Sequence, residues 1–163
     1  MMTQLSQQLK ELVQSSRDRL LSIPDQAAGR KPYPDKWSLK EILGHLIDSA
    51  ANNHQRIVRM QERQDIGSFQ YAQKHWVTAQ DYQTAPWAEI VEWWSSYNNH
   101  LAHVIGRVNP STLDHVCDMG YSKPATLKFV MEDYLRHVRH HLEQIFGGAD
   151  PMQREHWVAR NPY

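Results

Sequence analysis

The sequence predicts an all-α fold, a four-helix bundle, on three observations. Four long segments carry apolar residues at spacings of three and four, no segment alternates with the period of two that a half-buried strand needs, and 163 residues fit one domain with little room for a second. Residues 1–163 are accordingly read as a single domain, with the core over 3–147 and a tail over 148–163.

The first helix is expected over 3–22. Leu5, Leu9, Leu12, Val13, Leu20 and Leu21 form its apolar stripe, and Pro24 ends it. The link at 30–35 holds two prolines and reads as an extended connection. The second helix has the clearest start signal. Ser38-Leu-Lys-Glu41 is a capping box, in which Ser38 caps the amide of Glu41 and Glu41 reaches back to the amide of Ser38. Trp37 ahead of the cap and Ile42 inside the helix suit a hydrophobic staple. Leu39, Ile42, Leu43, Leu46, Ala50 and Ile57 continue the stripe to an end near Arg63.

Residues 64–85 read as irregular yet carry Phe69, Tyr71, Trp76 and Tyr82. So long a connection is unusual unless it packs or works at a site. The third helix follows Pro86, with Ile90, Trp94, Tyr97, Leu101, Val104 and Val108 on one face, and stops before Asn109-Pro110. The fourth shows Leu127, Val130, Tyr134, Val138, His141 and Ile145, and Gly147-Gly148 is expected to close it, with a short turn at 155–159.

Charge is balanced, 18 Lys and Arg against 18 Asp and Glu, which argues against a nucleic-acid or acidic-lipid partner won by net positive charge. Cys117 is the lone cysteine, so an intramolecular disulfide and a multi-cysteine metal site are excluded, and any metal must be held by His and carboxylates. The polar start of the chain shows no signal peptide and no apolar run reaches the length of a membrane span, so a cytoplasmic location is expected.

The nucleotide motifs are missing: no G-x-G-x-x-G and no G-x-x-x-x-G-K is present to cradle phosphate, and no G-x-S-x-G elbow offers a serine nucleophile. Arg56, Arg59 and Arg63 align near the end of the second helix, where solvation and the helix dipole account for them. Cys117 sits beside Asp118, which discourages its thiolate.

Histidine is the informative residue. His137 and His141 stand four apart on the fourth helix, about 40° apart around its axis, so their rings can converge on one divalent ion. Val138 directly after the first His excludes the zincin motif, which needs Glu there. Spacing alone leaves two readings open, a ligand pair or a solvated polar flank. A bundle site also needs a ligand from a facing helix. His45 is on the second helix, but periodicity places it outside the apolar stripe. His54 is about 13 Å further along the same helix at 1.5 Å per residue, too far to share an ion with it. His75, His100, His103, His115, His140 and His156 read as solvated or locally bonded.

Trp37-Ser-Leu-Lys-Glu-Ile-Leu-Gly-His45-Leu, the later His137-x-x-x-His141-Leu-Glu-Gln-Ile145, and the stretch Tyr71-Ala-Gln-Lys-His-Trp76-Val-x-x-x-x-Tyr82 between them resemble the DinB-like (DinB/YfiT) superfamily. The resemblance spans residues 8–146 and lies in the order and spacing of three short motifs. It implies a four-helix bundle, often a homodimer, with a divalent metal ion, zinc or nickel, held by His45, His137 and His141. It also implies a small-molecule substrate, with a low-molecular-weight thiol among the candidates, and chemistry of thiol S-transferase or hydrolase type. Gln73, where some relatives carry a carboxylate, leaves the general base unassigned.

Three histidines leave a coordination position open for water or a thiolate, as in catalytic zinc sites. Asp48 and Asp133 each lie one turn from a ligand and are candidates to orient it, although surface charge is the commoner role for such residues. The alternative is a non-catalytic metal-binding bundle in stress response, which a closed fourth position would favour. A third reading has no metal at all.

Overall fold

The computed structural model describes residues 1–149. In chain order these form α1 (Met2–Leu21), α2 (Asp25–Ala28), α3 (Leu39–Glu62), β1 (Asp65–Ser68), α4 (Gln73–Gln80), α5 (Trp87–Ile105), a 3-10 turn (Pro110–Thr112), β2 (Val116–Asp118), β3 (Ala125–Thr126) and α6 (Leu127–Ala149). The all-α expectation holds, and each of the four expected long helices is present. The expected turn at 155–159 and nearly all of the tail lie outside the described residues.

The capping box starts α3 as its sequence demands. The Ser38 Oγ accepts from the Glu41 amide at 3.3 Å, and the Glu41 carboxylate accepts from the Ser38 amide at 2.8 Å. The Ser38 hydroxyl also donates to Gln83 at 2.7 Å, tying the start of the helix to the connection before α5. Such a cap satisfies two orphan amides and contributes about 1 kcal/mol. At the other end of the chain α6 runs through Gly147 and Gly148 to Ala149, so the two glycines do not end it where expected. Glycine weakens a helix but, unlike proline, does not remove the hydrogen bond that continues it.

α1 packs along α5, α5 along α3, α3 along α6, and α6 closes back on α1. Their shared interior holds Leu9 and Val13 from α1, Leu43 and Ile57 from α3, Trp94 and Leu101 from α5, and Tyr134 and Val138 from α6. The Trp87 indole N–H donates to the Leu20 carbonyl at 2.8 Å, fixing the start of α5 against the end of α1.

Two expectations for the connections are corrected. Residues 64–85 are not wholly irregular, since they contain β1 and α4. The absence of strands also fails. β1, β2 and β3 form a three-stranded sheet in that order, with β1 parallel to β2 and β2 antiparallel to β3. Strands of two to four residues are too short for alternation to show, and they exist through pairing between segments distant in sequence. The sheet has a positional consequence. β1 follows α3 and β3 leads into α6, so the end of α3 meets the start of α6 and the two helices run antiparallel.

Among the described residues no helix is long and apolar enough to cross a membrane. One glycine is required by close approach. A Cβ at Gly44 would stand 2.2 Å from the Tyr82 ring, which lies directly on α3. Gly44→Ala is therefore expected to lose about 1–3 kcal/mol of stability in urea unfolding. Gly29→Ala, whose new Cβ would have no neighbour nearer than 3.5 Å, should stay within about 0.5 kcal/mol of the parent.

Candidate metal centre

On antiparallel helices, residues one turn apart face each other in opposite order. His45 and Ser49 on α3 thereby meet His141 and His137 on α6. The His45 ring centroid is 5.0 Å from that of His141 and 5.1 Å from that of His137, and the last two are 4.5 Å apart. The Nε2 atoms of His45 and His137 stand 3.1 Å apart. One ring nitrogen from each of the three histidines can be chosen so that all lie within 4.8 Å of one another. Trp37 covers the group, its ring 5.3 Å from that of His45.

His45 is 0% exposed and His141 1%, while His137 is half-buried at the edge. The structure thus corrects the outward placement that periodicity gave His45. That argument assumes a helix with one covered face. α3 packs against α4, α5 and α6, so its polar residues Asp48, Ser49, Asn52, Asn53 and Arg56 are buried beside its apolar stripe.

Two neighbours orient the imidazoles. His137 Nδ1 is 3.2 Å from Ser49 Oγ, and His141 Nδ1 is 2.7 Å from Gln144 Oε1. The amide oxygen of Gln144 only accepts, so His141 donates through Nδ1–H and carries its ring lone pair on Nε2. With Ser49 accepting from His137 Nδ1–H, the same holds for His137. Burial pushes all three histidines well below their usual range, to about 3 for His45, about 2 for His137 and about 4 for His141. The charge of His141 adds to the effect on the other two, and the Gln144 bond opposes it at His141.

The donor set fits a divalent ion. Neutral imidazole is a ligand for zinc, nickel and copper, and two such nitrogens bound tetrahedrally at about 2.0–2.1 Å stand roughly 3.3 Å apart. The observed 3.1 Å is close to that value. Among the described residues no other His, Cys, Asp or Glu joins the group.

Asp48 is not surface charge. It is 1% exposed, and its Oδ1 accepts from the Tyr82 hydroxyl at 2.7 Å and from the Gln80 amide. Its Oδ2 has no hydrogen-bond partner among the described residues, and burial raises the carboxyl to about 6 against those two bonds. Asp133 pairs with Arg136 at 2.7 Å. The groups that orient the imidazoles are therefore Ser49 and Gln144, a hydroxyl and an amide, and not the candidate carboxylates Asp48 and Asp133. A signal for them existed, since Ser49 follows His45 by four positions and Gln144 follows His141 by three.

A cleft of about 230 Å³ opens beside His137, with walls that include Ser49, Tyr71, Gln73, Tyr121 and Tyr134. The connection over 64–85 thus reaches the cleft through Tyr71 and Gln73, one of the two uses that its length left open. His75, His100, His103 and His140 are exposed, as expected, and His115 bonds the Met60 carbonyl. His54 meets Tyr97 at 3.3 Å, and Cys117 is a buried thiol that desolvation shifts upward. His156 lies outside the described residues.

The sequence model of the DinB superfamily matches residues 8–145, which is most of the chain. The chain belongs to the DinB superfamily. No curated protein and no solved structure gives a significant match. The region of this DinB superfamily member covered by the match contains all three histidines and both orienting residues.

The histidine shifts fix the sign of a pH effect on the metal-free protein. The unfolded chain takes up protons near pH 6.5, whereas the folded histidines stay neutral down to about 2–4. Stability is thus complete above pH 6.5 and falls as pH drops below it, by about 1.4 kcal/mol per pH unit for each proton of difference. Asp48 acts oppositely between 6 and 3.8, where the folded state holds a proton that the unfolded chain releases. Three groups outweigh one. After chelation Tm should drop steeply between pH 7 and 5, and a flat Tm over that range would contradict the buried cluster.

Proposed function

We propose that this DinB superfamily member binds one divalent metal ion, zinc or nickel, through His45, His137 and His141, and is an enzyme of thiol S-transferase or hydrolase type acting on a small molecule. The observation that carries the metal reading is the convergence of three neutral imidazoles from two helices, two of them buried and one half-buried, with ring nitrogens within 4.8 Å of one another. A neutral imidazole carries one ring lone pair, and a shared ion would accept one from each of the three. A bound ion supplies Lewis acidity, which draws the pKa of a coordinated thiol or water toward neutrality.

The chain's own residues do the rest. Ser49 and Gln144 hold the Nδ1 sides of His137 and His141, which fixes ring orientation and tautomer. The tyrosine-walled cleft gives a small molecule access to the side of His137 and limits the water beside it. Gln73 lines that cleft and cannot take a proton, so the carboxylate available within it is Asp133. An open fourth position favours catalysis over a closed, structural role, and the three-residue donor group supports it among the described residues. The proposal retains the homodimer and, for the transferase branch, a low-molecular-weight thiol as co-substrate.

Metal content by inductively coupled plasma mass spectrometry tests the reading, on protein purified without a metal-affinity column. The parent should hold about one zinc or nickel per chain. His45→Ala and His137→Ala should each lose it while keeping helical circular dichroism. A parent that stays metal-free after reconstitution overturns the proposal.

A further inference from the structure

Arg56 does not follow the solvated reading that its place near a helix end suggested. It is 4% exposed, and no carboxylate lies within ion-pair distance of it among the described residues. Its Nε and Nη2 donate to the Phe69 carbonyl at 3.1 and 2.6 Å, and its Nη1 donates to Asn53 Oδ1 at 3.2 Å. A guanidinium has five N–H donors, so a donor on each Nη remains beyond these three bonds. Carbonyl and amide oxygens solvate the cation without neutralising it, and a buried charge of this kind is costly unless an anion meets it.

The cation lines the same cleft as His137. The two are joined along one side of α3 by hydrogen bonds: His137 Nδ1 to Ser49 Oγ at 3.2 Å, Asn53 Nδ2 to Ser49 Oγ at 3.3 Å, and Asn53 Oδ1 to Arg56. Asp133, the carboxylate of the cleft wall, already has Arg136 as its partner. Asp133 acts on Arg56 through space without pairing with it, so the cleft offers a positive group that has no ion-pair partner among the described residues.

We propose that the cleft takes a small molecule bearing an oxyanion, a carboxylate or a phosphate, which Arg56 binds through its remaining Nη donors while the rest of the molecule extends toward His137. The inference rests on the metal centre being the reactive site, because it assigns Arg56 to the substrate of that site. A purely structural Arg56 would only hold the Phe69 carbonyl at the end of β1, and it would not distinguish an acid from its neutral isostere.

The probes are benzoate, phenyl phosphate and neutral benzamide, titrated into metal-free and zinc-reconstituted protein, with zinc content measured on each sample. Binding is followed by the Arg56 side-chain N–H resonances in nitrogen-15 NMR. The expected result is a shift of those resonances by the anions in both metal states, with benzoate at least tenfold tighter than benzamide, or phenyl phosphate so if phosphate is the natural group. Arg56→Gln should reduce that preference to within twofold, and Arg56→Lys should keep part of it. Equal affinity for the acids and the amide in the parent overturns the proposal. So does anion binding that requires zinc and survives Arg56→Gln, which puts the anion on the metal instead. If Arg56→Gln does not fold, the resonance shifts of the parent decide the matter alone. Selective anion binding in a protein that never takes up zinc supports the Arg56 site and overturns the metal reading.

Discussion

Three imidazoles are packed together where α3 meets α6, two of them buried and the third at the edge of a cleft, and the rest of the architecture depends on keeping them neutral and convergent. Protonation of the rings is disfavoured there, because an added proton's charge meets both desolvation and a neighbouring ring. Convergence requires α3 and α6 to run antiparallel in one register, with His45 opposite His141 and Ser49 opposite His137. The small sheet supplies that register by pinning the end of α3 to the start of α6.

The polar side of α3 carries a second set of constraints. The Tyr82 hydroxyl reaches Asp48, Gln80 reaches the same carboxylate, and the Tyr82 ring lies where a side chain at position 44 would have to be. One turn pair further along, Arg56 fastens the Phe69 carbonyl. These contacts bind the connection between α3 and α5 onto α3 at both ends, which makes that connection a wall of the site. Buried polar contacts of this kind specify one arrangement when they are satisfied and are costly when they are not. The same strap therefore holds the site's shape and makes it sensitive to single substitutions.

Much of this was legible in the chain, and the parts that were not have definite causes. The capping box from Ser38 to Glu41 sets the start of α3 through local hydrogen bonds alone, so reading it required no tertiary knowledge. The apolar stripes of all four long helices likewise follow from local periodicity. His45 fell outside its stripe because a helix covered by several neighbours has no solvent face for the pattern to mark; only the resemblance of its motif pointed to it. Asp48 and Arg56 looked like surface charges for the same reason. The strands Val116–Asp118 and Ala125–Thr126 were invisible because their pairing is non-local, and α4 was hidden by its short length. Ser49 and Gln144 stand at helical spacing from the histidines, but a hydroxyl and an amide at that spacing are common and mark no site by themselves.

X-ray absorption at the zinc edge, on protein loaded with one equivalent of zinc, tests the central claim most directly. The account predicts three imidazole nitrogens at about 2.0–2.1 Å with the outer-shell scattering of their rings, and one further light-atom ligand. A thiolate sulfur shell near about 2.3 Å, from Cys117 as the chain's one thiol, would contradict it, as would fewer than three imidazoles.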